Sequence, residues 1–228
     1  MAVLEMKQVR KIFGSGHTEV EALKPTDFSS QQGELIAVIG PSGSGKSTFL
    51  TIAGGLQTPT SGQVFMNGTD ITKLKEKQRS AIRLKEIGFV LQSSNLVPFL
   101  NVKQQMRLLD KVKKHNLPSE KLQELYQTLG IHKLLNSFPS DLSGGEKQRV
   151  AIAKALYTDP SIILADEPTA SLDSDRAFEV MEMLQEITTK SNKTTIVVTH
   201  DTRLIDYCDK VYQITDGRLS LQTEQAQS

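Results

Sequence analysis

A glycine-rich segment near residue 40 carries the clearest chemical signal. Residues 40–47 read GPSGSGKS and match the pattern GxxxxGK[ST] in full. Glycines let the backbone curl so that several N–H groups point at one anion. Lys46 supplies a point charge for the β- and γ-phosphates, and the Ser47 hydroxyl is a typical Mg²⁺ ligand. The predicted nucleotide-binding residues are Gly40, Pro41, Ser42, Gly43, Ser44, Gly45, Lys46, Ser47 and Thr48.

The flanks of this segment decide between a phosphate site and a glycine-rich turn that matches by chance. The apolar stretch LIAVIG at 35–40 precedes it, and the helix-like TFLTIAGGL follows it. A strand, a glycine loop and a helix in that order are the context that the motif requires. The following helix also adds the positive end of its dipole. The phosphate site is therefore the favoured interpretation.

A second set of candidate groups lies far downstream in the chain. The apolar stretch SIILAD at 161–166 ends in Asp166, and Glu167 follows. Asp166 at the end of a strand is suited to hold Mg²⁺, usually through a water molecule. Glu167 is an ionised acceptor placed to polarise a water that attacks the γ-phosphate. By itself an Asp–Glu pair at a strand end more often faces solvent, so its meaning depends on the loop at 40–47.

The segment LSGGEKQRV at 142–150 contains a third candidate. Ser143 and Glu146 have the spacing of a capping box in front of a helix. Exposed N–H groups and a positive dipole end suit such a helix start to an anion. Most capping boxes only cap, but Gly144 and Gly145 leave the backbone open to close approach by a ligand.

The elements that position these groups indicate an α/β fold. The stretches 35–40, 161–166 and 194–200 are compact and apolar or β-branched, as expected for strands that are buried on both faces of a parallel sheet. Helix-like segments separate them. The middle of the chain predicts one helix capped by Asn101 and a second that ends at Gly130. We interpret residues 94–158 as a helical insert, and the polar tail after Leu221 as frayed.

Composition limits the possible function classes. The chain has 228 residues, 38% of them hydrophobic, which is ample for a buried core. A net charge of +1 argues against a globally basic nucleic-acid binder. One cysteine allows neither an internal disulfide nor a cysteine-rich zinc site. No apolar run approaches the ~20 residues of a membrane helix, and no secretion signal is visible, so a cytosolic protein is expected unless a partner holds it elsewhere.

The order of the motifs resembles the ATP-binding cassette (ABC) family over nearly the whole chain. LSGGEKQRV at 142–150 resembles the family signature, Gln92 after IGFVLQ resembles the Q-loop glutamine, and Ser171-Leu-Asp173 resembles the D-loop. His200 at the end of TTIVVTH resembles the switch histidine. The resemblance implies a single nucleotide-binding domain with a P-loop NTPase fold. Its RecA-like core of mostly parallel sheet with N-terminal antiparallel strands would span 1–93 and 159–228, with the helical subdomain at 94–158.

The resemblance also implies the roles of the remaining residues. Two domains would sandwich two ATP molecules, with Ser143, Gly144, Gly145 and Glu146 of one subunit on the γ-phosphate held by the other. His200 would sense the γ-phosphate, Gln92 would meet Mg²⁺ or the attacking water, and Asp173 would act across the dimer or merely cap the next helix. Phe13 and Val20 would hold the adenine ring, although both could equally be core residues. Glu167, His200, Gln92 and Lys46 are the catalytic candidates, and Ser47, Gln92 and Asp166 are the metal ligands.

A transport function would need a separate membrane subunit. The phrases LQSSNLVPFLNV and KIFGSGHTEVEAL are most similar to the macrolide-export, lipoprotein-release and bacitracin-detoxification subgroup, whose permeases are FtsX/MacB-like. That likeness implies export or release of a peptide, drug or lipophilic compound, at the cytoplasmic face of the membrane. The alternative is a non-transport FtsEX-like regulator of cell-wall hydrolases. Leu96, Val97, Phe99 and Leu100 are candidates either for docking the permease or for the core of the insert. The stretch between Thr48 and Leu142 is too short for the coiled-coil arms of DNA-repair ABC ATPases.

The lysines and arginines at 73–85 and 103–121 have two interpretations. A solvated helix face is the favoured one, and a surface near anionic lipid headgroups is the other. No aromatic residues alternate with these cations, as base stacking would require.

Overall fold

The computed structural model describes residues 2–170 and 172–224. Two sheets form an α/β fold with mostly parallel strands in the larger sheet and antiparallel strands at the N-terminus, as the sequence predicts. The strands are β1 (Leu4–Phe13), β2 (Val20–Ser30), β3 (Leu35–Ile39), β4 (Ser61–Met66), β5 (Thr69–Asp70), β6 (Ile87–Val90), β7 (Ile162–Asp166), β8 (Thr194–Thr199), β9 (Lys210–Thr215) and β10 (Arg218–Glu224). The α-helices are α1 (Lys46–Ala53), α2 (Glu76–Glu86), α3 (Val102–Leu109), α4 (Ser119–Thr128), α5 (Gly144–Tyr157) and α6 (Ser174–Lys190).

The larger sheet has the strand order β10-β9-β3-β8-β7-β6. Its neighbours pair in parallel from β9 to β6, while β10 joins β9 as an antiparallel hairpin. The three strands predicted from the sequence, β3, β7 and β8, lie side by side at its centre. Parallel strands need helical crossovers on both faces, which explains why these strands are apolar at nearly every position.

Side chains on the two faces of the central strands enter separate cores. Leu35 and Ala37 of β3 pack with α5 and α6, whereas Ile36 and Val38 pack with α1 and the N-terminal sheet. This alternation follows from the two-residue period of a strand. The N-terminal sheet has the order β2-β1-β4-β5, so α1 lies between two sheets.

The segment 94–158 contains the two helices predicted within it. Asn101 caps α3 by accepting a hydrogen bond from the Gln104 N–H at 2.9 Å. Gly130 follows α4 with φ of +62°, the conformation that favours glycine at a helix end. Val112, placed in the first helix by its spacing, lies beyond the end of α3 and is 61% exposed. Short 3₁₀ turns at His132–Leu134 and Pro139–Asp141 lead from α4 towards α5.

The C-terminal segment differs from its prediction. Strand β10 continues to Glu224, and Thr223 and Glu224 of the polar tail pair with β9 instead of fraying. The rest of the tail, residues 225–228, lies outside the described residues. Pairing with a neighbouring strand satisfies backbone hydrogen bonds, and the polar side chains of the tail do not indicate it. Among the described residues, none of the helices is long and apolar enough to traverse a lipid bilayer.

Candidate nucleotide site

The phosphate-binding loop connects the end of β3 to the start of α1. Gly40 and Gly45 have φ of +155° and +110°, which favours glycine. Space demands it as well, because a Cβ on Gly40 would lie 2.2 Å from the Ile214 carbonyl oxygen, and one on Gly45 would lie 2.3 Å from that of Ala22. The loop can therefore reach this tight curvature only with glycine at both positions.

Lys46 holds the loop together from inside. Its buried ammonium donates hydrogen bonds to the carbonyl oxygens of Gly40 at 2.7 Å and Pro41 at 2.9 Å. These contacts keep a positive charge at the centre of the loop, beside the first turn of α1. A charge-assisted hydrogen bond from this ammonium to a phosphate is of the strong class.

A cleft of about 540 Å³ opens beside the loop and gathers half of the predicted site residues. Its lining residues are Ala22, Ser42, Gly43, Gly45, Lys46, Ser47, Thr48, Gln92, Asp166, Glu167 and His200. Residues that are far apart in the sequence meet here because parallel strands β3, β7 and β8 all end at the same edge of the sheet. Another cavity of about 590 Å³ lies between α4 and the end of α6, and it holds none of the motif residues.

Glu167 and His200 form a pair at neighbouring strand ends. The His200 Nδ1 lies 2.9 Å and 3.0 Å from the two carboxylate oxygens of Glu167. The Glu167 backbone has φ of +47° and donates its N–H to the Val198 carbonyl oxygen at 2.9 Å. A non-glycine residue held in this conformation is strained, and such strain concentrates at functional sites.

The proton on His200 determines what this pair can do. A hydrogen bond to the Glu167 carboxylate requires the proton on Nδ1. In the neutral ring Nε2 is then an acceptor, so simultaneous donation to a phosphoryl oxygen from Nε2 requires the imidazolium. The His200 side chain is 66% exposed, so Nε2 remains open to such a contact.

Asp166 lies in a different environment from a surface carboxylate. Burial at the end of β7 raises its pKa, the neighbouring Glu167 charge raises it further, and the Lys46 ammonium opposes both effects. Two carboxylates on consecutive residues repel each other, and a bound cation would relieve that repulsion. The site thus favours positive charge at this point.

The donor set in the cleft fits Mg²⁺. Ser47 offers a hydroxyl oxygen, Gln92 an amide oxygen and Asp166 a carboxylate oxygen, and all three line the same cleft. Hard oxygen ligands of this kind, few in number and completed by phosphate and water, are what Mg²⁺ takes in nucleotide sites. When bound, the ion neutralises charge on the β- and γ-phosphate oxygens.

The predicted signature begins α5 with the expected capping box. The Ser143 Oγ accepts a hydrogen bond from the Glu146 N–H at 3.3 Å, and the Glu146 carboxylate accepts one from the Ser143 N–H at 2.7 Å. The latter bond lowers the pKa of Glu146. Ser143 and Gly144 are exposed, whereas Gly145 is buried. None of these residues lines the cleft beside the phosphate loop.

Several predicted residues lie outside the cleft lining. Gly40 and Pro41 contribute carbonyl oxygens to Lys46, and Ser44 is a buried residue of the loop. Phe13 and Val20 face each other across β1 and β2 at 39% and 61% exposure. Asp173 caps α6 through the Arg176 N–H at 3.0 Å, while Ser171 lies outside the described residues.

Sequence reasoning missed two parts of the site. Ala22 lines the cleft two residues from Val20, on the same face of β2. The β9–β10 turn supports the loop from below, because the Gly217 N–H donates to the Ser44 carbonyl oxygen at 2.9 Å. An alanine carries no chemical signal in sequence. The dipeptide Asp216-Gly217 is typical of a turn, but it does not indicate what the turn contacts.

Comparison with known proteins agrees with this geometry. The family model for ABC transporters matches residues 23–170. A Staphylococcus haemolyticus protein described as a putative hemin import ATP-binding protein, HrtA, is 46% identical over 220 residues, which cover 96% of this chain and 99% of that protein. The protein of the same description from Staphylococcus saprophyticus is 44% identical over 94% of this chain and 97% of its own length.

Solved structures of ATP-binding cassettes also resemble this chain. A dimeric post-hydrolysis state of the ATP-binding cassette MJ0796 with ADP and Pi is 34% identical, with a TM-score of 0.83 over 96% of this chain and 98% of that chain. The cassette cbiO1 from Clostridium perfringens is 29% identical, with a TM-score of 0.86 over 98% and 88%. The matched family model, the cleft and the shared fold together establish that this chain belongs to the ABC transporter family, as one of its ATP-binding ATPase subunits.

Proposed function

We propose that two copies of this chain close around two ATP molecules and that each active site is completed by the signature of the other copy. The observation that carries this proposal is the division of the predicted residues. The phosphate loop, Glu167 and His200 share one cleft, whereas exposed Ser143 and Gly144 lie outside its lining. The start of α5 has N–H groups and a dipole suited to a phosphate brought by a partner.

The residues in the cleft divide the chemistry among them. The loop N–H groups and Lys46 hold the phosphates, and Ser47, Gln92 and Asp166 would hold Mg²⁺. Glu167 accepts a proton from, or orients, the attacking water, and His200 fixes the Glu167 carboxylate at 2.9 Å. Phe13 and Val20, which pair across β1 and β2 two residues before Ala22, are the residues that we propose for the adenine face. Asp173 acts near the opposite phosphate loop.

Hydrolysis drives opening by population shift. ATP favours the closed dimer only to the extent that it binds that state more tightly than the open one. Loss of the γ-phosphate removes the contacts to Ser143 and the glycines of the opposite copy, so the closed state loses its advantage. Gln92, just after the end of β6, would pass this change to a helical subdomain at 94–158 that moves against the core at 1–93 and 159–228.

The output of this cycle is movement in a separate membrane permease of the FtsX/MacB type, at the cytoplasmic face of the membrane. Phe99 is 75% exposed beside the Q-loop segment and suits docking, whereas Leu96 packs against the core. A pocket of about 280 Å³ close by, lined by Phe89, Leu91 and Leu109 among others, offers apolar surface to a permease helix.

The cargo that we propose is a lipophilic compound, with hemin as the first candidate. Support for hemin comes from the description of the staphylococcal relatives, which align over almost the full length of both chains. The wider class of peptides and drugs follows from the subgroup resemblance of the Q-loop segment.

The test is to extract the protein in mild detergent, identify the membrane polypeptide that accompanies it, and reconstitute the pair in liposomes. We expect an FtsX/MacB-like permease and an ATPase rate that rises with hemin. If the ATPase rate rises with a peptide but not with hemin, the cargo is a peptide and not hemin. A rate that responds only to an extracellular hydrolase would favour the cell-wall regulator, and recovery of no permease would contradict the transport proposal.

A further inference from the structure

The outward side of α3 and of the turn that continues it is divided lengthwise into a cationic part and an apolar part. Lys103, Arg107 and Lys111 recur every four residues and are all exposed; we call them the cationic stripe. Leu108 and Val112 follow the same spacing one residue later and are 39% and 61% exposed. The inward side of the helix is buried through three other residues, Val102, Gln105 and Met106.

The charges of the stripe are not neutralised within the molecule. Lys103, Arg107 and Lys111 form no ion pair with any carboxylate among residues 2–170 and 172–224. Asp110 is the acidic residue nearest in sequence, and its Oδ1 accepts hydrogen bonds from the Tyr157 hydroxyl at 2.7 Å and the Asn116 side-chain amide at 2.9 Å instead of from the stripe. By contrast, the cations of α2 are largely paired, Arg79 and Arg83 with Glu76 and Lys85 with Glu86.

A charged stripe beside an apolar one is the arrangement of helices that lie against a membrane surface. Cations bind anionic headgroups while the neighbouring aliphatic side chains enter the headgroup boundary. Leu108 and Val112 place exposed apolar surface directly beside the cations of the stripe. Leu109, on the inward side of the same helix, lines the proposed permease pocket, so α3 also borders that pocket.

We propose that the outer face of α3 and its following turn binds anionic phospholipid headgroups, so that this ATPase contacts the bilayer directly beside its permease. The proposal rests on the membrane location given under the proposed function, but the contact itself needs no permease. The phosphate of the lipid is bound by the stripe, and Leu108 and Val112 supply shallow apolar contact.

The experiment uses the full chain and vesicles without permease. Co-sedimentation is measured with vesicles of phosphatidylglycerol mixed with phosphatidylcholine, and with vesicles of phosphatidylcholine alone. We expect binding only to the anionic vesicles, weakening as salt is raised. Each cation near an anionic surface strengthens binding roughly 5-fold, so K103Q/R107Q/K111Q should weaken binding about 100-fold.

Two further variants show whether weaker vesicle binding comes from the α3 face itself or from a general loss of positive charge. K7Q/K73Q/K190Q removes three exposed lysines that are paired with Glu5, Asp70 and Glu186, and it matches the charge change of the stripe variant. It should bind vesicles nearly as well as the unaltered chain, and L108S/V112S should bind more weakly at every salt concentration. ATP hydrolysis in solution should be equal in all of these proteins, because none of these residues lines the nucleotide cleft.

Three results would overturn the proposal. One is equal binding to anionic and neutral vesicles, and another is equal weakening by the stripe variant and its charge-matched control. The third is no vesicle binding at all, which would indicate that the stripe binds an acidic segment of the permease instead of lipid. Each of these leaves the recovery of a permease, and so the proposed function, unaffected.

Discussion

Glu167 and His200 restrain each other in a way that bears on catalysis. The imidazole approaches both carboxylate oxygens within 3.0 Å, so the carboxylate is oriented before substrate arrives. A preorganised acceptor needs little rearrangement at the moment of reaction. The geometry therefore indicates that His200 sets the direction of the Glu167 carboxylate.

Substitution of Lys46 tests the centre of the loop. Lys46→Ala removes the ammonium that bonds the Gly40 and Pro41 carbonyl oxygens and leaves the phosphates without their point charge. Because a charge-assisted hydrogen bond contributes about 1.5–3 kcal/mol, ATP affinity should fall roughly 10- to 100-fold or more. Fluorescent-nucleotide titration measures the affinity, and circular dichroism checks the fold. Near-normal hydrolysis would remove the phosphate-site assignment.

Because of Asp166, a fall in pH should change the stability of the protein and its ATPase activity in opposite directions. Its pKa is raised in the folded chain, so the native state takes up this proton at a higher pH than the unfolded state does. The contribution of Asp166 to the free energy of unfolding therefore increases as pH falls through the raised pKa. Metal binding needs the ionised carboxylate, so Mg²⁺-dependent turnover should decrease over the same range.

The variant Asp166→Asn separates these two effects. The amide is nearly the same size and carries no charge, so the nucleotide-free protein at neutral pH should have a higher Tm than the unaltered chain. Turnover with Mg²⁺ and ATP should be lost. Thermal unfolding in the presence of a chelator measures the first effect, and phosphate release measures the second. An unchanged or lower Tm would contradict the assigned cause of the pKa shift.

At the scale of elements, Ser143 at the start of α5 caps the helix and is also proposed to contact the phosphate held by the other copy. Ser143→Arg places a long cation at an exposed helix start that does not line its own cleft. Binding of ATP to the single subunit should therefore stay within about twofold, a change of less than ~0.5 kcal/mol, while hydrolysis is blocked. Ser143→Asn, which preserves capping, is the control for helix stability. Equal loss of binding and hydrolysis would place the serine in its own subunit's site.

Two substitutions of Asp173, at the start of α6, test whether this residue only caps the helix or also acts across the dimer. Asp173→Ala removes the acceptor for the Arg176 N–H and the ion pair at 3.4 Å, and it should cost about 1 kcal/mol of stability. Asp173→Asn retains the cap and should unfold within a few tenths of a kcal/mol of the unaltered chain. If Asp173 also acts across the dimer, the Asn variant should hydrolyse ATP more slowly at unchanged stability. Normal turnover by Asp173→Asn would restrict this residue to capping.

The whole molecule is expected to change its assembly state with nucleotide. Glu167→Gln keeps the shape of the side chain and its contact with His200, but it removes the proton acceptor. ATP should therefore bind and remain uncleaved, and the closed dimer should accumulate, with turnover reduced at least about 100-fold. Gel filtration with ATP and Mg²⁺ reports the dimer, and the same run with ADP is the control. A monomer under both conditions would count against the sandwich.

The whole fold supports the phosphate loop, and no single segment of the chain contains that support. The two cores meet at β3, whose alternate residues enter different cores, so the phosphate loop begins at a strand that is fixed from both sides. Rigid support on both faces keeps the loop in place when ligands bind. The C-terminal hairpin adds a third support through Gly217.

Local chemistry was sufficient to predict much of this protein. The loop at 40–47, the Asp166–Glu167 pair, the capping box at Ser143 and the three central strands depend on side chains and spacings that act over short distances. Gly40 and Gly45 can be recognised in the sequence because their backbone conformation favours glycine. The sequence by itself thus determined the α/β class and the ABC family, and it predicted loop residues that the structure places around one cleft.

Tertiary structure decided what depends on neighbours from other segments. Contacts between separate elements bring Ala22 into the cleft, support the loop by the β9–β10 turn, and pair Thr223 and Glu224 with β9. The same is true of which cations remain unpaired on α3, because a charge pattern in sequence does not say where the carboxylates fold. Such contacts exist only once the sheet has brought separate strands together and their ends to one edge, and that is why no local pattern could reveal them.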